Sequence, residues 1–126
     1  VYNASGTRPP LVCIRTWSTE NDHYVSLARA LGPDQPIVTL APPDHPKLEA
    51  YPRTTDEWVD WLLPIYRALG LQGDRLLGGF SFGGVVALEL AERLAREGEP
   101  VALVLMLDTR RPKARPETKP GAKVPL

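Results

Sequence analysis

Leu76-Leu77-Gly78-Gly79-Phe80-Ser81-Phe82-Gly83-Gly84-Val85-Val86-Ala87 decides the fold. It reads as an apolar strand, a sharp turn and the start of a helix. Gly79-x-Ser81-x-Gly83 stands at the turn, the spacing of a nucleophile elbow. A serine hydroxyl attacks a carbonyl poorly until a base takes its proton, so where it is held matters as much as what it is. A strand-to-helix turn lifts Ser81 above the end of a sheet. It also points the amides of the helix start, led by Phe82 N–H, at the carbonyl under attack. Side chains at 79 and 83 would collide with the adjoining strand and helix, which accounts for the glycines. Gly-x-Ser-x-Gly is short enough to arise by chance; the strand before it and the helix after it give it weight.

Downstream, the helix from Phe82 to about Glu97 carries Gly84, Ala87, Ala91, Leu94 and Ala95 on the side expected to face the sheet. Glu89–Arg93 and Glu92–Arg96 are i,i+4 pairs with the acid first and mark the wet side. Gly98 is the expected C-cap. Val101 to Leu107 reads as another buried strand ending at Asp108. Upstream, Thr54-x-x-Glu57 forms a capping box. Trp58, Trp61, Leu62, Ile65 and Leu69 then make an apolar stripe at helical spacing, with Pro64 expected to kink the helix. Leu11-Val12-Cys13-Ile14 is short and continuously apolar, as a strand buried on both faces would be. Thr19 is placed to cap the next helix, whose Tyr24, Leu27, Ala28 and Leu31 share one face before Gly32-Pro33 stops it. Pro36 to Leu40 is a second strand. The order β-α-β-α-β-α-β implies a three-layer α/β fold, a mostly parallel sheet with helices on both faces. Ligands of such sheets bind at the carboxyl ends of the strands, where the loop after Ile14, Ser81 and Asp108 meet.

The 126 residues make one domain, and the formal net charge of zero supplies no global field for nucleic acid or an acidic membrane. Cys13, the single cysteine, lies in an apolar run and is expected in the core. No apolar run is long enough to span a bilayer, and the N-terminus lacks a signal-peptide core, so the expected setting is cytoplasmic. Residues 1–10 read as a linker-like lead-in, 11–108 as the folded part, and 109–126 as a flexible Pro-rich basic tail or the start of a lid. The tail lacks interleaved aromatics and an apolar face, which disfavours a nucleic-acid or membrane arm. The Asn3-Ala4-Ser5-Gly6 stretch and the Val1 start suggest excision from a longer protein.

Gly79-Phe80-Ser81-Phe82-Gly83-Gly84, the helix that follows and the strand ending Leu107-Asp108-Thr109 resemble the thioesterase domains of polyketide synthases and nonribosomal peptide synthetases. Leu27 to Pro36 extends the resemblance toward the N-terminus. It implies the N-terminal portion of an α/β-hydrolase fold that cleaves acyl or peptidyl chains, by hydrolysis or macrocyclisation, from the phosphopantetheine arm of a carrier protein, either as a domain of the same megasynthase or as a stand-alone editing thioesterase. Ser81 would be the nucleophile. Asp108 would be the triad acid that orients a histidine and stabilises it when protonated. Phe82 N–H would supply one oxyanion donor and Trp17 N–H the other. Neither a metal nor a resident cofactor is implied, since the substrate arrives on phosphopantetheine.

Two departures stand out. The family's first loop usually carries His-Pro-x-Gly-Gly; here Arg15 and Thr16 replace His-Pro, and Ser18 and Thr19 replace the glycines. The histidines, His23 and His45, both precede Ser81, whereas the fold orders its triad serine, acid, histidine. His23 reads as a surface residue, and His45 sits in a Pro-rich loop. The expectation is a chain truncated before its base and inactive as it stands. A carboxylesterase of the same fold is one alternative. A non-catalytic module that docks carrier proteins or acyl chains is the other.

Overall fold

The computed structural model describes residues 1–16, 23–42 and 50–110. Four strands and three helices alternate: β1 (Leu11–Ile14), α1 (His23–Leu31), β2 (Ile37–Leu40), α2 (Thr55–Ala68), β3 (Leu76–Phe80), α3 (Phe82–Arg96) and β4 (Leu103–Leu107). All strand pairs are parallel and lie in the order β2-β1-β3-β4. Val12 and Ile14 pack with α2 and α3 residues on one face, while Leu11 and Cys13 pack with Tyr24 and Ala28 of α1 on the other. This is the layered α/β architecture expected from the sequence. Burial pushes the Cys13 thiol up to about 12, because a thiolate has no water to solvate it there.

The order also fixes where a ligand belongs. The chain leaves β1 for β2 on one side, then crosses over to β3 on the other. The carboxyl ends of β1 and β3 therefore flank a topological switch point, the crevice where sheets of this kind bind ligands.

Local signals set the helix ends. Thr54 Oγ1 accepts from Glu57 N at 3.1 Å, and the Glu57 carboxylate reaches back to Arg53 N at 2.7 Å. α3 ends in a Schellman turn: Glu99 N donates to Leu94 O, Gly98 N donates to Ala95 O, and Gly98 has φ +80°.

Several expectations shift. α2 buries Trp58, Val59, Leu62, Leu63 and Tyr66, so its inner face is rotated from the Trp61–Ile65–Leu69 stripe; Trp61 and Ile65 are half-buried. A helix apolar around much of its circumference is oriented by its partner, here α3 and the sheet. The helix runs on through Pro64, which is exposed. On α3, Ala95 is exposed, and Val86 and Leu90 take the inner face with Gly84, Ala87, Ala91 and Leu94. β4 is not the buried strand its sequence suggests: it lies at the sheet edge, and Leu103 is 52% exposed. The continuous apolar run specifies a strand with two covered faces; the described residues cover it only in part.

The lead-in is tied down rather than linker-like. Tyr2 forms an antiparallel bridge with Ile37. The Asn3 side-chain amide donates to the carbonyls of Ala28, Gly32 and Gln35, closing the end of α1. Ala28 O and Gly32 O also accept from Gly32 N and Gln35 N at 3.2 Å, so the Asn3 amide adds a second donor, from outside the helix, to the turn that ends α1. The capping role of Thr19 and the tail beyond Arg110 lie outside the described residues.

Candidate active site

Ser81 follows β3 directly and precedes α3, with φ +54° and ψ −122°. Non-glycine residues rarely adopt that backbone, and holding it costs about 1–3 kcal/mol. A serine before a helix ordinarily turns its hydroxyl inward to cap the first amides. Ser81 makes no such capping bond and is exposed. The turn thus forgoes the stabilisation a serine gives best and presents the hydroxyl outward.

Close packing enforces the turn. A Cβ on Gly79 would lie 2.1 Å from the carbonyl carbon and oxygen of Gly83, and one on Gly83 would lie 2.7 Å from Ile14 O. The backbone adds its own ties: Ser81 N donates to Leu107 O at 2.8 Å and Gly84 N to Ser81 O at 3.0 Å.

Asp108 follows β4, the strand beside β3, and is exposed with φ +48°. The two residues singled out from the sequence therefore sit on consecutive turns at the same end of adjacent strands. Phe82 is the first residue of α3, and its ring meets Trp58 edge-on at a centroid distance of 6.4 Å. Trp17, the expected second donor, lies outside the described residues, as does His45. Of the Arg15-Thr16 pair before it, Arg15 N donates to Leu40 O and Thr16 is buried. His23 is exposed, as expected, but it is not remote: its ring stacks on Phe80, the residue before Ser81, with centroids 4.1 Å apart.

Two residues here escaped the sequence reading. By sequence Tyr24 is one member of an apolar helical stripe. Its hydroxyl donates to Ile14 O at 2.6 Å and accepts from Phe80 N at 3.0 Å, joining the ends of β1 and β3 at the switch point. The available signal was a tyrosine on an otherwise aliphatic buried face, since a buried phenol needs a partner. Thr109, the last residue of the Leu107-Asp108-Thr109 run, places its Oγ1 2.9 Å from Ser81 O and 3.0 Å from Leu107 O. Among the described residues no group of three His, Cys, Asp or Glu side chains is placed to hold a metal ion, and no helix is long and apolar enough to cross a membrane.

The family model described as a thioesterase domain matches residues 9–123. The chain belongs to the thioesterase domain family. Two of its relatives are synthetases: it is 35% identical over 88% of its length to the vanchrobactin synthetase VabF of Vibrio anguillarum, and 33% identical over 82% to a dimodular nonribosomal peptide synthase of Bacillus subtilis. It covers 4% of each of those proteins. Among solved structures, the thioesterase domain of NocB from the nocardicin cluster superposes with a TM-score of 0.72 at 31% identity, over 86% of this chain and 48% of that one. The chain thus spans about half the length of that solved thioesterase domain. The α/β fold with its parallel sheet is the fold of these neighbours. A second structure of the NocB domain is a covalent complex with a fluorophosphonate nocardicin G analog.

Proposed function

We propose that this member of the thioesterase family supplies the nucleophile and acid of a serine hydrolase that releases acyl or peptidyl chains from the phosphopantetheine arm of a carrier protein. The reading rests on one observation above all: Ser81 is held in a strained turn at the switch point, with its hydroxyl turned away from the capping role its position offers. In this reading Ser81 Oγ attacks the thioester carbonyl and loses its proton to a histidine. Phe82 N–H steadies the oxyanion, with Trp17 N–H as the second donor. The C–S bond breaks, the pantetheine thiolate takes the proton, and the acyl group stays on Ser81 until water or an internal nucleophile removes it. Asp108 orients the histidine and stabilises its charged form. The reading asks for no resident cofactor, and it keeps the cytoplasmic setting expected from the sequence. The synthetase relatives support a carrier protein as the partner.

The 126 residues hold His23 and His45, both before Ser81. The 126-residue chain on its own is therefore expected to acylate slowly. The test follows a radiolabelled acyl group loaded on a carrier protein. In the protein that carries this sequence the label should pass to Ser81, and Ser81→Ala should abolish transfer. Transfer at the parent rate by Ser81→Ala overturns the reading.

A further inference from the structure

The Ser81 carbonyl and the Phe82 N–H belong to one planar peptide unit, so fixing the direction of one fixes the other. Two donors converge on that carbonyl. Gly84 N comes from the first turn of α3, at 3.0 Å. The second, Thr109 Oγ1 at 2.9 Å, comes from the far side of the site, next to Asp108. The hydroxyl has a single proton, and Leu107 O at 3.0 Å is its other acceptor. Thr109 thus sits between the carbonyl that precedes Asp108 and the carbonyl that carries ψ of Ser81.

The neighbouring helix is shaped to admit it. A Cβ on Gly84 would lie 2.2 Å from Thr109 Oγ1 and 3.0 Å from Thr109 Cβ. The second glycine after the serine therefore makes room for a threonine 25 residues later, which gives Gly84 a reason the helix alone does not.

We propose that Thr109 is a positioning residue, whose hydroxyl aims the Phe82 N–H at the developing oxyanion and locks the Asp108 turn to the Ser81 turn. The inference rests on the functional reading above. Loss of an oxyanion donor lowers turnover about 100- to 1000-fold. Misaiming one that is still present should lower it by about 10- to 100-fold, within the range set by complete loss.

The experiment uses the protein that carries this sequence with an acylated carrier protein as substrate. Thr109→Val replaces the hydroxyl by a methyl of similar size, Thr109→Ala removes it without crowding, and Thr109→Ser restores it. Both Val and Ala variants should lose kcat with KM unchanged, while the Ser variant recovers kcat to near the parent. In parallel, the amide resonance of Phe82 should shift and exchange faster in Val and Ala but not in Ser. Parent-like kcat and an unmoved Phe82 amide in both Val and Ala overturn the inference. So does an equal loss in Ser, which would assign the effect to packing. If the parent transfers no acyl group and Ser81→Ala is indistinguishable from it, the functional reading fails. The Phe82 resonance still decides whether Thr109 orients that peptide.

Discussion

At the amino end of the sheet, α3 closes on Gly98, whose φ is +80° and where a side chain would meet nothing within 4 Å. At the carboxyl end the pattern inverts. Gly79 is needed because its neighbours touch the space a side chain would fill, while the positive φ angles fall on Ser81 and Asp108. Glycine at the first end absorbs an awkward backbone angle. At the second end side chains are kept in spite of one. A folding chain relieves such strain with glycine wherever a side chain is not wanted. Serine is the uncommon one there; aspartate, like asparagine, adopts this region more readily, so the contrast rests on Ser81. Asn3 is the amino-end exception at φ +53°, and asparagine is among the residues that adopt this region most readily.

The largest effect that sharpens the contrast comes from placing the same methyl at both ends. Gly79→Ala drives a carbon into the Gly83 backbone, which cannot rotate away. Urea unfolding should show a loss of about 3 kcal/mol or more, or no folded protein. Gly98→Ala meets open space and bears only the backbone strain, about 1–2 kcal/mol. Equal losses at the two positions would break the comparison.

Removing a side chain should work in the opposite sense at the carboxyl end. Ser81→Gly relieves about 1–3 kcal/mol of backbone strain and returns part of it as extra freedom of the unfolded chain. The net gain should be about 1 kcal/mol in urea unfolding, with acyl transfer abolished. A destabilised Ser81→Gly would mean that the turn is unstrained and that Ser81 is held by contacts of its own.

Legibility follows the range of the interactions. The elbow, the Thr54 cap and the Gly98 turn are written within a few residues of themselves, and all three lie where the sequence places them. The rotation of α2 is not local. Val59 and Leu63 displace Trp61 and Ile65 from the inner face because α3 and the sheet choose among several apolar stripes. β4 has the sequence of an interior strand, yet its burial depends on what lies beside it. At the site, Ser81 and Asp108 were legible as strand-end residues in a motif. Tyr24 and Thr109 act through contacts 56 and 28 residues away, which no local pattern encodes.

The smallest effect separates the two ends by acid. Asp34, at the amino end, accepts from the Thr7 hydroxyl at 2.7 Å and from Thr7 N at 2.8 Å. Those bonds, the hydroxyl first, hold its carboxyl below the ordinary 3.8. The folded form then binds a proton less readily than the unfolded chain. The contact's contribution is present above about pH 4 and is lost as pH falls through the folded value. At the carboxyl end, the bonds from Gly84 N and Thr109 to Ser81 O join uncharged groups and have no such dependence. Hydrogen exchange followed from about pH 5 down to about pH 2 should therefore show Thr7 losing protection before Gly84 does. Asp34→Asn should remove the pH dependence at Thr7 alone. If both amides open together at every pH, the lead-in and the elbow belong to one cooperative unit, and the two ends differ in geometry without differing in stability.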